Sequence, residues 1–264
     1  MLPGAHSFEI DSGGVRVYPH VESLTAAPGT SVSGERLGWG VPGLDALTGG
    51  GVPIHDSTLL LGPAGMGKTT MGLQFVAKGV SQGQVCTYVT FHETQEELLY
   101  KAKMAGMDLR QAVETGALMV MYVPSAEADV DKVIYDVLAD VEGRGVGRLV
   151  VDTINLLERD ATREGRFTDV LAALVRQLRQ RRVAALVIRV TGQLTGVEAA
   201  AATGRESYWM PMDNILAVRP IQLSGSLSKT ISVLKMRYSG HDSRIHSLGF
   251  GSRGMEIGAV QEGS

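Results

Sequence analysis

One stretch of sequence decides the fold: Gly62-Pro63-Ala64-Gly65-Met66-Gly67-Lys68-Thr69, with Thr70 directly after it. The stretch has the G-x-x-x-x-G-K-[ST] spacing of a loop that wraps phosphate groups. Its glycines let consecutive backbone N–H groups converge on phosphate oxygens, because a Cβ would obstruct the turn. A helix that begins near Lys68 adds the positive end of its dipole. Residues 62–70 are therefore predicted to bind a nucleoside triphosphate.

Two side chains of this phosphate loop carry specific roles. Lys68 is expected to reach the β- and γ-phosphates, and the hydroxyl of Thr69 is expected to bind Mg²⁺. The predicted cofactors are therefore ATP and Mg²⁺. The predicted nucleotide-binding residues are Gly62, Pro63, Ala64, Gly65, Met66, Gly67, Lys68, Thr69 and Thr70.

The segments on either side of the loop predict the fold class. Ser57–Leu61 before it is a short apolar run, and Lys68–Val80 after it has helical spacing. Further apolar runs predict strands at Val85–Phe91, Arg148–Asp152 and Val183–Val190, and the stretches between them predict helices at Glu93–Ala105, Asp129–Glu142 and Phe167–Gln180. Strands that are apolar on both faces and alternate with helices indicate an α/β fold with a mostly parallel sheet covered on both sides.

Two later strands predict the edge of this sheet. Asn214–Pro220 and Thr230–Met236 flank a turn that contains Gly225. Short strands joined by such a turn are typical of an antiparallel hairpin. We expect this hairpin at the edge of the parallel sheet.

Length and composition exclude several classes of protein. The chain has 264 residues, of which 44% are hydrophobic, as in globular domains and unlike disordered chains. A net charge of −3 provides no global positive field for nucleic acid. Cys86 is the only cysteine, so no intramolecular disulfide can form. The N-terminal residues lack the pattern of a signal peptide, and apolar runs such as Val183–Ile188 are too short to cross a bilayer. We expect a soluble, cytoplasmic protein with no membrane partner.

Two carboxylates are predicted to take part in the chemistry. Asp152 ends a buried strand, where open α/β sheets bind their ligands, and is expected to order the Mg²⁺ shell. Four apolar residues before an aspartate are common, so this prediction depends on the phosphate loop upstream. Glu93 follows the predicted strand Val85–Phe91, the first after the phosphate-loop helix, and is expected to orient the attacking water. The same segment also predicts a helix start, with Thr94 as the N-cap and Glu97 three residues on, and the two interpretations are compatible.

The motifs together resemble one protein family. Gly40-Val41-Pro42-Gly43-Leu44-Asp45, then Gly49-Gly50-Gly51 and the phosphate loop, resemble the opening of KaiC-type and RadA-type members of the RecA superfamily. Lys235-Met236-Arg237, with His241 four residues later and a closing hairpin that ends Gly254-Met255-Glu256-Ile257, is similar to KaiC-like domains. The resemblance covers about residues 37–258. It implies a RecA-like fold, with a mostly parallel twisted sheet, helices on both faces and an antiparallel edge hairpin.

The resemblance also implies an assembly. KaiC-like domains form hexameric rings with ATP between neighbours, and Lys235, Arg237 and His241 are implied to reach the γ-phosphate held by the adjacent subunit. A cation supplied in this way would stabilise the charge that phosphoryl transfer spreads over the γ-oxygens. Without the resemblance, these residues would be interpreted as solvated charges on an edge strand. The predicted catalytic residues are Glu93, Lys68, Lys235, Arg237 and His241.

This sequence departs from the family pattern in three places. KaiC-like domains commonly have two glutamates where this chain has His92-Glu93, so rapid hydrolysis is not expected. The segment from Arg189 to Gln193 lacks an acidic residue that is frequent in the family. The phosphorylated Ser-Thr pair of the clock protein would fall near Trp209-Met210, where neither side chain accepts a phosphoryl group. A phosphorylation clock is therefore not expected.

The chain is predicted to have four segments. Residues 1–20 contain the alternating stretches Ser7–Ile10 and Val15–Tyr18, which predict a β-hairpin. Residues 21–36 are predicted to be a linker, residues 37–258 the ATPase domain, and residues 259–264 a tail.

The N-terminal hairpin is similar in sequence to a later segment of the chain. His6–Val17 and His246–Ile257 share His, Ser, Ser and Gly, and their apolar positions are in phase. One interpretation is that any two β-hairpins look alike. The other is that residues 1–20 are the closing hairpin of a preceding, related domain.

Three functions are compatible with these residues. The leading hypothesis is a ring-forming ATPase that hydrolyses MgATP slowly and acts on an unidentified partner protein as a regulatory or signal-transduction switch. One alternative is an ATP-dependent assembly module with little hydrolysis, and another is a DNA recombination or repair mediator of the RecA or RadA type. The predicted loops Glu158–Arg166 and Leu194–Ser207 would face DNA in such a ring, but the first has as many acidic as basic residues and neither offers an aromatic platform. Nucleic acid is therefore not the expected partner.

Overall fold

The computed structural model describes residues 6–24, 34–125, 128–163, 165–192, 210–223 and 226–261. The strands are β1 Ser7–Asp11, β2 Gly14–Tyr18, β3 Arg36–Leu37, β4 Val52–Pro53, β5 Ser57–Gly62, β6 Cys86–Thr90, β7 Leu118–Tyr122, β8 Arg148–Asp152, β9 Ala184–Val190, β10 Asn214–Leu223, β11 Ser226–Lys235, β12 His246–Gly251 and β13 Gly254–Val260. The helices are α1 Leu44–Leu47, α2 Lys68–Ser81, α3 Gln95–Met104, α4 Arg110–Glu114, α5 Val130–Arg144, α6 Asn155–Arg163 and α7 Phe167–Gln180. The predicted loop at residues 194–207, Trp209, Gly225 and most of the predicted linker lie outside these ranges.

A nine-stranded sheet, counted over the described ranges, organises the chain. Its order is β13-β12-β11-β10-β5-β9-β8-β6-β7. The strands from β10 to β7 in this order are parallel, and β11, β12 and β13 continue the sheet in antiparallel fashion. The predicted α/β fold, with a mostly parallel sheet and an antiparallel edge, is confirmed. The antiparallel part is larger than one hairpin, because β12 and β13 extend it beyond β11.

Side chains of the parallel strands enter two separate cores. Leu60, Tyr88 and Val150 pack into a core that includes residues of α2, α3 and α4. Their sequence neighbours Leu59 and Val89 belong to the core on the other face, with residues of α5, α6 and α7. This division follows from the two-residue period of a strand, and it confirms that helices cover both faces. Among the helices of the described ranges, we find none whose length and apolar content would let it traverse a bilayer.

The prediction of a loop at Glu158–Arg166 was wrong for most of its length, because α6 runs from Asn155 to Arg163. Leu157 and Ala161 are four residues apart and are both buried, so this helix has an apolar stripe. The many charges between the apolar positions concealed that stripe in the sequence. Asn155 fixes the start of the helix to β9 by exchanging two hydrogen bonds of 2.8 Å with the backbone of Val190.

The N-terminal hairpin repeats the geometry of the closing hairpin. Phe8 pairs with Val17 in β1–β2, as Leu248 pairs with Ile257 in β12–β13. The two environments differ, since Phe8 is 63% exposed whereas Leu248 is buried. The first hairpin contacts α5, where Ser7 Oγ donates to the N-cap residue Asp129. Its origin in a preceding domain stays a prediction.

A buried arginine ties the start of β8 to the phosphate-loop helix. Arg148 is fully buried and donates to the backbone oxygens of Gly38 and Phe75 and to the side-chain oxygens of Gln82 and Gln84. Its guanidinium also lies over the Phe75 ring, 4.7 Å from the centroid. Burial lowers the pKa of Arg148 to about 10. The acceptors are neutral, and the backbone oxygen of Phe75 among them is buried, so Arg148 itself is the group whose polar atoms need these partners.

We expect Arg148→Met to lower the free energy of unfolding by about 3 kcal/mol, because it removes four hydrogen bonds and the packing of the guanidinium on Phe75. Urea denaturation monitored by circular dichroism measures the change as a lower midpoint at constant slope. Arg176→Met is the matched control, since Arg176 is exposed on α7, and it should change stability by less than about 0.5 kcal/mol. Equal effects of the two substitutions would contradict the role of Arg148.

Candidate functional site

The phosphate loop lies between β5 and α2, at the carboxyl edge of the parallel strands. Gly67 is the N-cap of α2 and has φ of +92°, and Gly65 has φ of +78°. A Cβ on Gly67 would lie 2.6 Å from Met255 Sδ, in addition to the strain of its backbone conformation. The sequence pattern and the fold thus require glycine for the same reason, which is the close turn of the backbone at this point.

A cavity of about 570 Å³ opens beside this loop. That volume suits a small-molecule ligand. The predicted site residues that line it are Ala64, Gly65, Met66, Gly67, Lys68, Thr69, Thr70, Glu93 and Asp152. Gly62 and Pro63 are not among the lining residues, but their backbone oxygens accept hydrogen bonds from Lys68. The cavity therefore brings together the predicted nucleotide-binding and metal-binding residues and one of the predicted catalytic carboxylates.

Lys68 is held beneath the loop. Its side chain is buried, and Nζ donates to the backbone oxygens of Gly62 (2.8 Å) and Pro63 (2.5 Å). Burial lowers the pKa of Lys68 to about 8, and the negative charge of Asp152 opposes this shift in part. An added polyphosphate would favour the charged form of the amine.

Thr69 and Asp152 lie side by side, as a shared metal ion requires. Thr69 Oγ1 donates to Asp152 Oδ2 over 2.7 Å. Two neighbouring ligands of an octahedral Mg²⁺, at about 2.1 Å from the ion, are about 3 Å apart. The two oxygens therefore fit adjacent positions around one Mg²⁺.

Tyr88 is a member of the site that the sequence did not indicate. Its hydroxyl donates to Asp152 Oδ2 over 2.8 Å, and the side chain is fully buried in β6. Burial, with the nearby Asp152 carboxylate, raises the pKa of Tyr88 well above its usual value, so the phenol remains a donor. The parallel register places Thr90 beside Asp152, and Tyr88 is two residues earlier on the same face. Only knowledge of this strand pairing would have identified Tyr88.

Glu93 lies at the wall of the cavity, directly after β6. Thr94 and Glu97 form the predicted capping box of α3. The backbone of Glu93 is fixed by two hydrogen bonds with Thr90 Oγ1, of 3.1 and 3.2 Å. His92 lines the cavity and is exposed. The helix-start and site interpretations of this segment are thus compatible in the structure.

Two further lysines reach the cavity although no motif names them. Lys101 contacts Glu93 from α3. Lys229, near the start of β11, donates from Nζ to the backbone oxygen of Gly65 over 2.9 Å. Lys229 is 164 positions away from Gly65 in sequence, so local spacing provides no signal for this contact.

Lys235 and Arg237 lie towards the ends of the parallel strands that are opposite to the phosphate loop. Lys235 pairs with Ile215 at the start of β10, and Asn214 pairs with Thr58 at the start of β5. The phosphate loop follows the other end of β5, and Lys235 is level with Leu59, which is about 10 Å along the strand from Gly62. Arg237 lies two residues beyond Lys235 in the direction away from the loop. His241 follows Arg237 in the chain and is exposed. None of these three residues lines the cavity.

A buried carboxylate holds Arg237. Asp213 is fully buried, and its Oδ1 accepts from Arg237 Nη1 over 3.2 Å and from Arg179. The Arg237 side chain is 47% exposed. Lys235 Nζ donates to the backbone oxygen of Met212 over 2.7 Å, and its pKa is lowered by burial, with Asp213 opposing the shift. The two predicted cations are thus ordered by one segment, residues 212–213.

Comparison with known proteins identifies relatives of this chain. The model of the family described as "ATPase: KaiC" matches residues 37–262. The chain is similar to circadian clock protein KaiC3 of Synechocystis sp., with 29% identity over 224 residues, which are 84% of this chain and 43% of that protein. It is also similar to the circadian clock oscillator protein KaiC of Parathermosynechococcus lividus (23% over 257 residues, 97% and 46%) and of Synechococcus elongatus (22% over 256 residues, 97% and 48%). The chain spans about half the length of the curated relatives it matches.

The lowered pKa of Lys68 predicts proton uptake on nucleotide binding. Above pH 8 the free site holds mostly neutral lysine, whereas a bound triphosphate favours the charged form. Binding at pH 8.5 should take up about three quarters of a proton, and at pH 7.0 about a tenth, so affinity falls as pH rises through 8. Calorimetric titration with Mg²⁺ and a slowly hydrolysed ATP analogue, in two buffers of different ionisation enthalpy, measures the uptake. Equal uptake at the two pH values would show that Lys68 is not the titrating group.

Proposed function

This chain belongs to the KaiC family of ATPases, and from that premise we propose that it forms a ring, binds MgATP at the subunit interfaces and hydrolyses it slowly as a cytoplasmic regulatory or signalling switch. The observation that carries the proposal is that Lys235 and Arg237 lie towards the start of β5 and outside the cavity, whereas the phosphate loop follows the end of β5. Lys235 and Arg237 would therefore meet a nucleotide that is bound by another copy of the chain. A ring supplies such a copy at every interface.

The proposed reaction is in-line attack of water on the γ-phosphate. Lys68 binds the β- and γ-phosphates, and its ammonium balances their charge. Thr69 and Asp152 hold Mg²⁺, which when bound neutralises charge on the phosphate oxygens. Glu93 orients the water and accepts its proton. The close approach of Thr69 to Asp152 and the position of Glu93 in the same cavity support these roles.

The adjacent subunit completes the proposed site. Arg237 is half exposed and can reach outward, while Asn214 Oδ1 accepts a hydrogen bond from its backbone N–H over 3.4 Å. Lys235 and His241 belong to the same segment as Arg237 and are proposed to approach the same γ-phosphate. Charge supplied in this way stabilises the transition state and makes hydrolysis depend on assembly.

The role that we propose for this chain differs from the one in the names of its relatives. Their names describe circadian clock proteins, and this chain spans about half of their length. Met210 is exposed and carries no hydroxyl at the position where the family's phosphorylated pair would fall. We therefore propose a switch that works through nucleotide state and assembly, with a protein partner.

Mixed subunits test the shared site. Lys68→Ala and Arg237→Ala should each lower kcat by about 100-fold or more, because one loses the phosphate ligand and the other the cation donated to the neighbour. Mixed in equal amounts, they should recover about a quarter of wild-type turnover, since a quarter of random interfaces pair an intact loop with an intact arginine. Phosphate release is measured against each variant alone at the same total concentration. A mixture no faster than the sum of its parts would reject an interface site.

A second candidate function is an assembly module that holds ATP with little turnover. It is favoured by the exposed imidazole of His92 in the cavity wall, where the family commonly has a carboxylate. DNA mediation receives less support, because Arg166 of the predicted DNA-facing loop is paired with Glu22 and Asp131.

We expect His92→Glu to raise kcat about tenfold, because a second carboxylate helps to position water, and to change nucleotide affinity less than about twofold. Steady-state phosphate release and analytical ultracentrifugation with a slowly hydrolysed analogue separate the two candidates. Measurable wild-type turnover that increases in the variant supports the slow ATPase. Nucleotide-dependent assembly with turnover only in the variant supports the assembly module.

A further inference from the structure

Lys101 forms an ion pair with Glu93 at the cavity wall, and this lysine has no part in the proposed reaction. Lys101 Nζ donates to Glu93 Oε1 in direct contact, from side chains that are 51% and 23% exposed. Both residues line the cavity that also contains Thr69 and Asp152. A partly exposed pair of this kind contributes little to stability, so its position calls for a different explanation.

The start of α3 explains why Lys101 pairs with Glu93. Glu97 precedes Lys101 by four residues, which is the usual spacing of an ion pair on a helix. The capping box engages one carboxylate oxygen of Glu97, since its Oε2 accepts from Thr94 N (2.8 Å) and Thr94 Oγ1 (3.0 Å). Lys101 instead reaches back along the helix to Glu93, which lies before α3.

The pair leaves the Glu93 carboxylate unable to act on water. Oε1 contacts the Lys101 ammonium, whereas Oε2 is closed off from solvent and has no hydrogen-bond partner among the described residues. A general base has to approach the water it orients to within about 3 Å. In this arrangement the Glu93 carboxylate is not available to the attacking water, so its contact with Lys101 has to change before the reaction.

A γ-phosphate is the group suited to make that change. Glu93 can orient the attacking water only from a position one water molecule away from the γ-phosphate. Because Lys101 contacts Glu93, its ammonium then lies within reach of the terminal phosphate oxygens. This phosphate carries more negative charge than one carboxylate and attracts the ammonium more strongly. ADP lacks the group and leaves the ion pair in place.

We propose that Lys101 distinguishes ATP from ADP in this cavity: it holds Glu93 back until a γ-phosphate takes over its ammonium, and this transfer frees the carboxylate for the attacking water. The proposal deepens the proposed function and rests on it, because ATP has to bind in the cavity. It assigns Lys101 as a specificity-determining residue that no motif names. Lys68 remains the ligand common to both nucleotides.

Equilibrium binding tests this assignment without requiring turnover. We compare affinities for MgADP and for the Mg²⁺ complex of the β,γ-imido analogue of ATP by calorimetry. Lys101→Met should weaken analogue binding about tenfold and leave ADP binding within about twofold, because only the analogue has a terminal phosphate. Lys101→Arg keeps the positive charge and should preserve the selectivity. Lys103→Met is the matched control on the same helix, and it should bind both nucleotides like the wild type.

Glu93→Gln supplies the reciprocal test. Removal of the carboxylate that competes for the ammonium should strengthen analogue binding about threefold to tenfold and leave ADP binding unchanged. The gain should disappear in the Lys101→Met/Glu93→Gln double variant, because no ammonium remains to be released. Thermal melting of each variant confirms that it is folded.

Three results would overturn the proposal. Equal weakening of ADP and analogue by Lys101→Met would make Lys101 a general phosphate ligand, and unchanged binding of both would remove its role entirely. A Glu93→Gln gain that persists without Lys101 would show that the two residues do not compete. All three leave the proposed function standing, whereas a wild-type chain that binds neither nucleotide at millimolar concentration would reject the proposed function itself.

Discussion

One buried oxygen, Asp152 Oδ2, accepts hydrogen bonds from Thr69 and Tyr88 and so fastens the phosphate loop to the sheet. Thr69 belongs to the first turn of α2, Tyr88 to β6 and Asp152 to β8. Parallel strands end at the same edge, and their register sets Thr90 beside Asp152. The segment with Glu93 leaves the sheet at that level. The phosphate loop, the candidate metal-binding oxygens and the candidate base therefore lie close together as a consequence of parallel pairing.

The antiparallel part of the sheet has the opposite effect. Because β11 runs against β10, its first residues lie near the phosphate loop and its last residues lie near the start of β5. Lys229 therefore meets Gly65, whereas Lys235 is carried to the far edge. Under the proposed function, this topology divides the cations between two sites: Lys229 serves the nucleotide of its own chain, and Lys235 and Arg237 serve that of a neighbour. The chain then requires a second copy for geometric reasons.

The sequence was informative where a single local rule determines the structure. The phosphate loop, the parallel strands and the capping box of Thr94 and Glu97 each depend on spacing over a few residues. The contacts that we did not predict join residues whose spacing matches no local rule. Tyr88 reaches Asp152 through strand pairing, and Lys101 contacts Glu93, eight positions earlier, while Glu97 caps the helix. Helix α6 escaped because its charges interrupt a narrow apolar stripe that only the packed core makes visible.

The partners of each cation indicate how freely it can meet a phosphate. Lys68 and Lys229 donate to neutral backbone oxygens of the loop, which a polyphosphate replaces with a stronger, charged acceptor. Arg237 is different, because its partner Asp213 is fully buried and a buried carboxylate left alone is costly. Arg179 contacts the same Oδ1, so under the proposed function Asp213 would keep a positive partner when Arg237 turned towards a neighbouring subunit. With Arg179 in place, Arg237 could leave Asp213 without leaving that buried carboxylate unpaired.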